Sequence, residues 1–139
     1  MSKSSINAVI VGTGMIAHVH FRSLKTAGVS VLGLVDANPE QAQAVAEKWG
    51  VMVFDDLDQA LQSDQVDVLH ICTPNRFHHP MAKQALEAGK HVICEKPLAT
   101  NLEDALELQQ LAQEKDLITG VPFVYRYHPM VREAKARIA

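Results

Sequence analysis

The stretch Val9-Ile10-Val11-Gly12-Thr13-Gly14-Met15-Ile16-Ala17 carries the strongest indication of fold in this chain. Its apolar start predicts a buried strand, and its Gly-x-Gly-x-x-Ala pattern predicts a sharp turn into a helix that binds a dinucleotide. Gly12 allows the tight turn, Gly14 lets a pyrophosphate approach the backbone, and Ala17 lets the helix pack closely on the strand. The N–H groups at this helix start are expected to face the phosphates, which involves Thr13, Gly14, Met15 and Ile16.

An acidic residue, Asp36, ends the next apolar run and follows Gly12 at close to the roughly 20 residues typical of dinucleotide-binding folds. Its carboxylate can accept hydrogen bonds from the adenosine ribose hydroxyls, and it would repel the 2′-phosphate of NADP. Residues 37–39 offer no arginine to bind that phosphate. We therefore expect NAD to be favoured over NADP. The alternative is a plain strand-to-helix turn with two glycines. The strand, helix and acid that accompany the motif favour the nucleotide-binding loop over it.

Length and composition set the class of protein. The chain has 139 residues, of which 47% are hydrophobic and 21% charged, as expected for one globular domain. A net charge of −3 and an aromatic content of 5% give no indication of a nucleic-acid partner. No apolar stretch reaches the roughly 18 residues of a membrane span, and no signal peptide is recognised, so we expect a cytoplasmic protein without a membrane partner. Cys72 and Cys94 are expected to be small buried hydrophobes in a reducing compartment.

Apolar runs alternate with helical patterns along the whole chain. This alternation predicts an α/β fold, a doubly wound parallel sheet with helices on both faces in three layers. The predicted strands cover residues 7–11, 31–35, 51–54, 66–72, 91–94 and 117–124. The last is expected at an edge, because Gly120 and Pro122 interrupt it.

Helix boundaries follow from capping signals. The first helix is expected over residues 14–27. Asn38 should cap the second, with Gln41 reaching back to it, and Asp56 should cap a short third helix. A fourth helix is expected after residue 75 and should end at Gly89. Thr100-x-x-Glu103 predicts a capping box for a fifth helix, and a last helical pattern covers residues 130–138.

The carboxyl ends of parallel strands meet at one edge of the sheet, where ligands bind in such folds. Four groups of residues are expected there: Gly12–Gly14, Asp36, Thr73-Pro74-Asn75 and Glu95-Lys96-Pro97. Lys96, if partly buried, can donate to a substrate oxygen, and Glu95 can bind a cofactor ribose or hold Lys96. A cis Lys96–Pro97 bond is conceivable. The chemistry of the residues leaves an equally plausible alternative, a surface ion pair before a loop.

The seven histidines do not indicate a metal site. His18 and His20 are two residues apart on a helix and point in different directions. His78 and His79 are adjacent, with no acid at ligand spacing. His70 lies in a predicted buried strand, where a core histidine with satisfied hydrogen bonds is expected. We therefore expect no bound metal.

Several motifs together resemble those of the Gfo/Idh/MocA oxidoreductase family, which includes glucose–fructose oxidoreductase and inositol dehydrogenase. The resemblance covers nearly the whole chain, and Glu-Lys-Pro in its position is its specific part. The matching motifs are Gly-x-Gly-x-x-Ala, Asp36, Thr73-Pro74-Asn75-x-x-His78, Ala88-Gly89-Lys90-His91-Val92, Glu95-Lys96-Pro97-Leu98-Ala99 and Tyr125-Arg126-Tyr127-His128-Pro129.

The resemblance implies NAD(P)-dependent oxidation of a secondary alcohol, usually on a sugar or cyclitol. It places Lys96, as the catalytic residue, beside the nicotinamide and in contact with the substrate hydroxyl. It places Glu95 at the nicotinamide-side ribose and His78 near the cofactor groove. The residues implied to line that groove are Thr73, Pro74 and Asn75.

Family members carry a second domain that supplies most of the substrate pocket, the proton-transfer residues and the usual homo-oligomer contacts. We expect residues 1–125 to form the NAD(P)-binding domain and residues 126–139 to begin a helix leading to such a domain, absent from this chain. The apolar residues of that helix should pack on a partner element. They are Met130, Val131, Ala134 and Ile138.

Two other functions stay open. The first is a stand-alone module that senses a dinucleotide, such as the regulatory domain of an ion channel, but Glu95-Lys96-Pro97 has no purpose in a pure sensor. The second keeps the fold and reduces an imine or a carbonyl of a non-sugar substrate.

Overall fold

The structure, a computed structural model, describes residues 5–138 and contains a six-stranded, fully parallel sheet in the order β3-β2-β1-β4-β5-β6. Residues 1–4 and 139, which the predicted domain and last helix include, lie outside the described residues. This strand order reverses direction between β1 and β4, which is where doubly wound folds form their ligand crevice. The predicted fold class is confirmed.

The strands and helices alternate along the chain. The strands are β1 Asn7–Val11, β2 Ser30–Val35, β3 Met52–Val53, β4 Val68–Ile71, β5 His91–Cys94 and β6 Thr119–Gly120. The α-helices are α1 Met15–Thr26, α2 Pro39–Trp49, α3 Leu57–Gln62, α4 His78–Glu87, α5 Leu102–Glu114 and α6 Pro129–Ile138. Short 3-10 turns at Asn75–Phe77 and Val124–Tyr127 precede α4 and α6. No helix within residues 5–138 combines the length and apolarity needed to cross a bilayer.

Side-chain alternation along the central strands builds the two faces of the sheet. Val9, Val11, Leu69 and Ile71 pack in one core with α3, α4 and α5. The alternate positions of β1 and β4 point to the opposite face, where α1 covers them with Ala17 and Leu24 among others. Helix α2 packs on the same side against β2. Both faces are therefore covered near β1, as a parallel sheet requires.

β3, β4 and β6 are shorter than predicted. The apolar residues that flank them pack in the core but do not extend the strands. β6 pairs only through Thr119 and Gly120, and Pro122 beyond it has no N–H to donate. Cys72, predicted as the end of β4, still donates its N–H to the Val11 carbonyl at 2.8 Å, although the strand ends at Ile71.

Two predicted capping boxes are wrong in detail. Asn38 does cap α2 by accepting the Gln41 N–H at 3.1 Å, but the Gln41 side chain does not reach back to Asn38. It donates instead to the Thr13 hydroxyl at 2.8 Å. α5 is capped one residue later than predicted, by Asn101, which accepts the Asp104 N–H at 2.8 Å. An asparagine is the stronger competitor for this position, since its side-chain oxygen reaches the first-turn N–H groups readily.

Candidate functional site

The loop between β1 and α1 needs glycine at position 12 for reasons within the protein. Gly12 has φ +93°, a conformation that L residues rarely adopt. Its N–H donates to the Val35 carbonyl at 2.8 Å. A Cβ built on it would lie 2.9 Å from the carbonyl oxygen of Cys72, at the end of β4. Glycine therefore lets β1 and β4 approach each other at the crevice.

Gly14 has no such internal reason. Its φ is −67°, and a Cβ built on it meets nothing within 4 Å. It caps α1 without a side-chain bond, the first turn carries no acidic residue, and Met15 is 87% exposed. The N-terminus of α1 thus faces open space with its N–H groups and partial positive charge, which suits an anion. This space fits the pyrophosphate of a dinucleotide.

Asp36 is tied to the glycine loop. Its Oδ2 accepts the Thr13 N–H at 2.8 Å and the Thr13 hydroxyl at 2.6 Å. Its Oδ1 accepts the Asn38 N–H at 2.9 Å. Because each carboxylate oxygen can accept about two hydrogen bonds, Oδ1 retains capacity for one more partner. The carboxylate is held at the edge of the sheet by the loop it is expected to serve.

The end of β4 and the end of β5 are joined by a buried histidine. His78 is 1% exposed. Its Nε2 lies 2.8 Å from the Thr73 carbonyl and its Nδ1 lies 2.7 Å from the Pro97 carbonyl. Pro74 and Asn75, between these contacts, are exposed at the crevice. His78 therefore lies behind the predicted groove and holds two of its walls together.

Glu95 is not part of a surface ion pair. It is 7% exposed, and its Oε1 lies 3.1 Å from Nε2 of His20. Its Oε2 accepts the backbone N–H of Lys96 at 3.1 Å. The surface alternative is thus wrong, and the carboxylate faces α1. Its contact with a cofactor ribose stays a prediction.

Lys96, unlike Glu95, is open to solvent at the end of β5. Its side chain is exposed rather than partly buried, and its ammonium has no hydrogen bond or ion pair with any residue in the range 5–138. The Lys96–Pro97 peptide bond is cis. The exposed Lys96 ammonium is therefore available to a ligand at this edge of the sheet.

The residues predicted from the sequence therefore lie on one edge of the sheet. They form two groups, each held together by its own hydrogen bonds. Asp36 joins the loop of residues 12–16, whereas His78 joins residues 73–75 to residues 95–97. Sequence reasoning missed Gln41 and His20. His20 shares the buried stripe of α1 with Ala17 and Leu24, so its helical spacing was a usable signal.

Cys72 and Cys94 are buried in the core, as predicted, and lie beside the second group. Burial raises the pKa of both the Cys72 and the Cys94 thiol to about 12, and the nearby negative charge of Glu95 adds to the effect. Both thiols therefore stay protonated and act as packing groups.

A cavity of about 790 Å³ lies between α5 and the β5–β6 side of the sheet. Its walls are mainly apolar, with Leu98, Leu102 and Leu106 among them, and they include none of the predicted site residues. Within residues 5–138, no group of three or more His, Cys, Asp or Glu side chains is arranged so that it could hold a metal ion. The candidate site is therefore the edge that carries the glycine loop.

Comparison with known proteins gives this edge a context. Residues 6–123 match the family model described as "Oxidoreductase family, NAD-binding Rossmann fold". Over 130 residues the chain is 37% identical to D-glucoside 3-dehydrogenase of Escherichia coli (strain K12), covering 91% of this chain and 37% of the relative. The chain thus spans well under half the length of that relative.

Solved structures agree in fold. Scyllo-inositol dehydrogenase from Lactobacillus casei, with bound NAD(H) and scyllo-inositol, superposes with a TM-score of 0.88 at 28% identity, over 97% of this chain and 41% of that one. Biliverdin reductase from Synechocystis sp. PCC 6803, in complex with biliverdin and NADP+, gives a TM-score of 0.79 at 29% identity, over 84% and 37%. Similar proteins thus include complexes with either cofactor.

Proposed function

The chain belongs to the Gfo/Idh/MocA oxidoreductase family, as an NAD(P)-binding Rossmann domain, and on that premise we propose that it binds NAD for a dehydrogenase acting on a secondary alcohol of a sugar or polyol. The observation that carries the proposal is the open space over Gly14, next to Thr13, whose N–H and hydroxyl hold the Asp36 carboxylate. The relatives named above are sugar, polyol or pigment oxidoreductases. They lend no support to a sensing module.

Each half of the edge has a distinct task in this proposal. In the loop from Gly12 to Ile16, the N–H groups of Gly14, Met15 and Ile16 bind the pyrophosphate, because those of Gly12 and Thr13 already donate to Val35 and Asp36. Asp36 takes the adenosine ribose through the free capacity of Oδ1. Asn75 and Lys96 then face the nicotinamide half, since they follow the strands on the other side of the crevice. The bound cofactor supplies the hydride acceptor.

Lys96 acts on the substrate. Its ammonium donates a hydrogen bond to the hydroxyl oxygen, which orients the carbinol carbon and favours the alkoxide character that develops as hydride leaves. The curated relatives are more than twice as long as this chain. Proton removal and most substrate contacts are assigned to a further domain in the additional length. Residues 1–125 are the proposed cofactor domain and residues 126–139 the approach to that further domain. Homo-oligomerisation and cytoplasmic location belong to the same proposal.

NAD is favoured because Asp36 is a carboxylate held by three hydrogen bonds and so cannot turn away easily from a 2′-phosphate. Titration of NAD and NADP into this chain by calorimetry at matched salt tests the proposal. We expect NAD to bind more tightly. Absence of binding by either cofactor would contradict the whole proposal, and equal affinities would contradict the NAD preference.

Asp36→Ala should weaken NAD binding and narrow the gap between the two cofactors, because the variant loses both a ribose partner and the repulsive charge. Glu40→Ala is the matched control, since it removes one carboxylate from the first turn of α2 without touching the loop. An unchanged NAD affinity in Asp36→Ala would remove the ribose assignment.

A further inference from the structure

A chain of three buried polar side chains crosses from the interior of the sheet to the Glu95–Pro97 turn. Nδ1 of His70, on β4, lies 2.8 Å from Nδ1 of His20, on α1. His20 Nε2 continues the chain to Glu95 Oε1 at 3.1 Å, and Glu95 Oε2 holds the Lys96 N–H. His20, His70 and Glu95 are each less than one-tenth exposed.

The fold explains why these three groups meet. Alternation along β4 places His70 on the same face as Val68 and Cys72, which is the face that α1 covers. Glu95 follows Cys94, which faces the opposite core, so its side chain also turns toward α1. His20 lies one helical turn from both Ala17 and Leu24 on the buried stripe and reaches both groups.

The contact between His20 and Glu95 has a fixed donor and acceptor. A carboxylate at Glu95 can only accept, so Nε2 of His20 must carry a hydrogen. Burial, aided by the charge of His20, lowers the pKa of His70 to about 4, so the His70 ring is neutral near pH 7. Only one hydrogen lies between the two Nδ1 atoms, and a neutral His70 can serve there as donor or acceptor. His70 thereby holds the ring of His20 in the orientation that Glu95 needs.

We propose that His20, held in place by His70, is a positioning residue for Lys96. It fixes the Glu95 carboxylate, whose other oxygen holds the Lys96 amide and so sets the direction in which Lys96 leaves β5. This inference rests on the proposed function, in which Lys96 donates a hydrogen bond to the substrate hydroxyl.

Loss of His20 has a specific expected consequence. A buried carboxylate without its partner is costly, so Glu95 would rotate toward solvent at the edge of the sheet. The Lys96 N–H would then lose its acceptor. The glycine loop is held by Val35 and Asp36 and has no hydrogen bond to His70, His20 or Glu95, so its conformation should not change.

Hydrogen exchange of backbone amides, followed by NMR in the full chain, tests the inference directly. In His20→Leu we expect the Lys96 amide to exchange at least roughly tenfold faster, because a hydrogen bond to a charged acceptor is lost. The Gly12 amide should keep its protection. His20→Gln should restore most of the Lys96 protection, because its side-chain amide can place a donor near the position of Nε2.

His18→Leu is the matched control, a histidine of the same helix that packs edge-on against Trp49 instead. It should leave Lys96 exchange unchanged. Titration with NAD and with ADP-ribose, which lacks the nicotinamide, adds a second readout. NAD, but not ADP-ribose, should shift the Lys96 amide resonance in the wild type. In His20→Leu, NAD should no longer shift the Lys96 amide resonance. Both ligands should still shift the amide resonance of Thr13 in the glycine loop.

The outcomes separate the two proposals. If neither ligand binds the wild type, the proposed function fails, and the exchange rates still decide the positioning role. If Lys96 protection survives in His20→Leu, the positioning role is wrong. If His20→Leu loses protection equally at Gly12 and Lys96, or if His20→Gln fails to restore the protection of the Lys96 amide, His20 serves the fold as a whole and the inference is overturned.

Discussion

The two halves of the candidate site are built by different means. The half formed by residues 12–16 and Asp36 is shaped by backbone conformation and by hydrogen bonds between neighbouring loops. Gly14 and Met15 in this half are exposed, and Asp36 is half-buried. The half formed by residues 73–75 and 95–97 is held from behind by His78 and His20, both buried. The first half offers backbone N–H groups to a ligand, whereas the second offers side chains.

This difference has a physical reason. A pyrophosphate is bound by dipoles and N–H groups that any sequence of the right shape supplies, so the loop depends on glycine. A substrate hydroxyl needs a side chain aimed in one direction, and an exposed lysine has many rotamers. The buried contacts of His20 and Glu95 fix the backbone at Lys96, so only the side-chain rotamers of this lysine remain free.

Gly12→Ala should have the largest effect and would break the first half. The alanine Cβ would lie 2.9 Å from the Cys72 carbonyl oxygen at a φ of +93°, so we expect a loss of about 3 kcal/mol in the free energy of unfolding. Urea denaturation followed by circular dichroism measures this loss.

Gly14→Ala is the comparison within the same loop. Its new Cβ meets nothing within 4 Å, so stability should stay the same or rise slightly, while NAD affinity should fall because the methyl group occupies the space over the helix N-terminus. Equal destabilisation by the two substitutions would show that the loop has no division between folding and binding roles.

The second half should give the domain a specific dependence on pH. The pKa of His70 is lowered from 6.5 to about 4 in the folded protein, so between these two pH values unfolded chains bind a proton here that folded chains do not. The stability associated with neutral His70 is fully present above pH 6.5 and is lost as pH falls toward 4. Between pH 7 and pH 5 this residue should remove about 2 kcal/mol from the free energy of unfolding.

His70→Leu sharpens that prediction. The variant should be less stable at pH 7, because His20 loses a partner, and its stability should fall less steeply toward pH 5 than that of the wild type. Urea denaturation of both proteins at the two pH values gives the comparison. Parallel pH profiles would mean that His70 does not carry the titration.

The smallest expected effect concerns the thiols beside Glu95. With pKa values of about 12 and little exposure, Cys72 and Cys94 should not react with an aromatic disulfide reagent at pH 8 in the folded chain. Both should react promptly in denaturant, which is the internal control. Fast labelling of a thiol in the folded chain would indicate that the second half opens readily.

Much of this architecture could be predicted from sequence, because the period of apolar residues and the capping residues are local signals. The parallel sheet with helices on both faces, the cap at Asn38 and the clustering of four loops at one edge follow from them. The ends of β4 and β6 could not be predicted, since whether an apolar residue joins the ladder depends on its partner strand. The cap at Asn101 was missed because two adjacent residues could serve and local geometry chose between them.

The sequence by itself determined the fold class, the glycine loop and Asp36, since backbone conformation and short-range spacing encode them. Only the tertiary structure decided that Glu95 turns inward to His20 rather than outward to Lys96, that Gln41 serves Thr13, and that His78 joins two loops. Each of these contacts links residues far apart along the chain. Such contacts depend on how α1, α2 and α4 pack on the sheet, which no local pattern specifies.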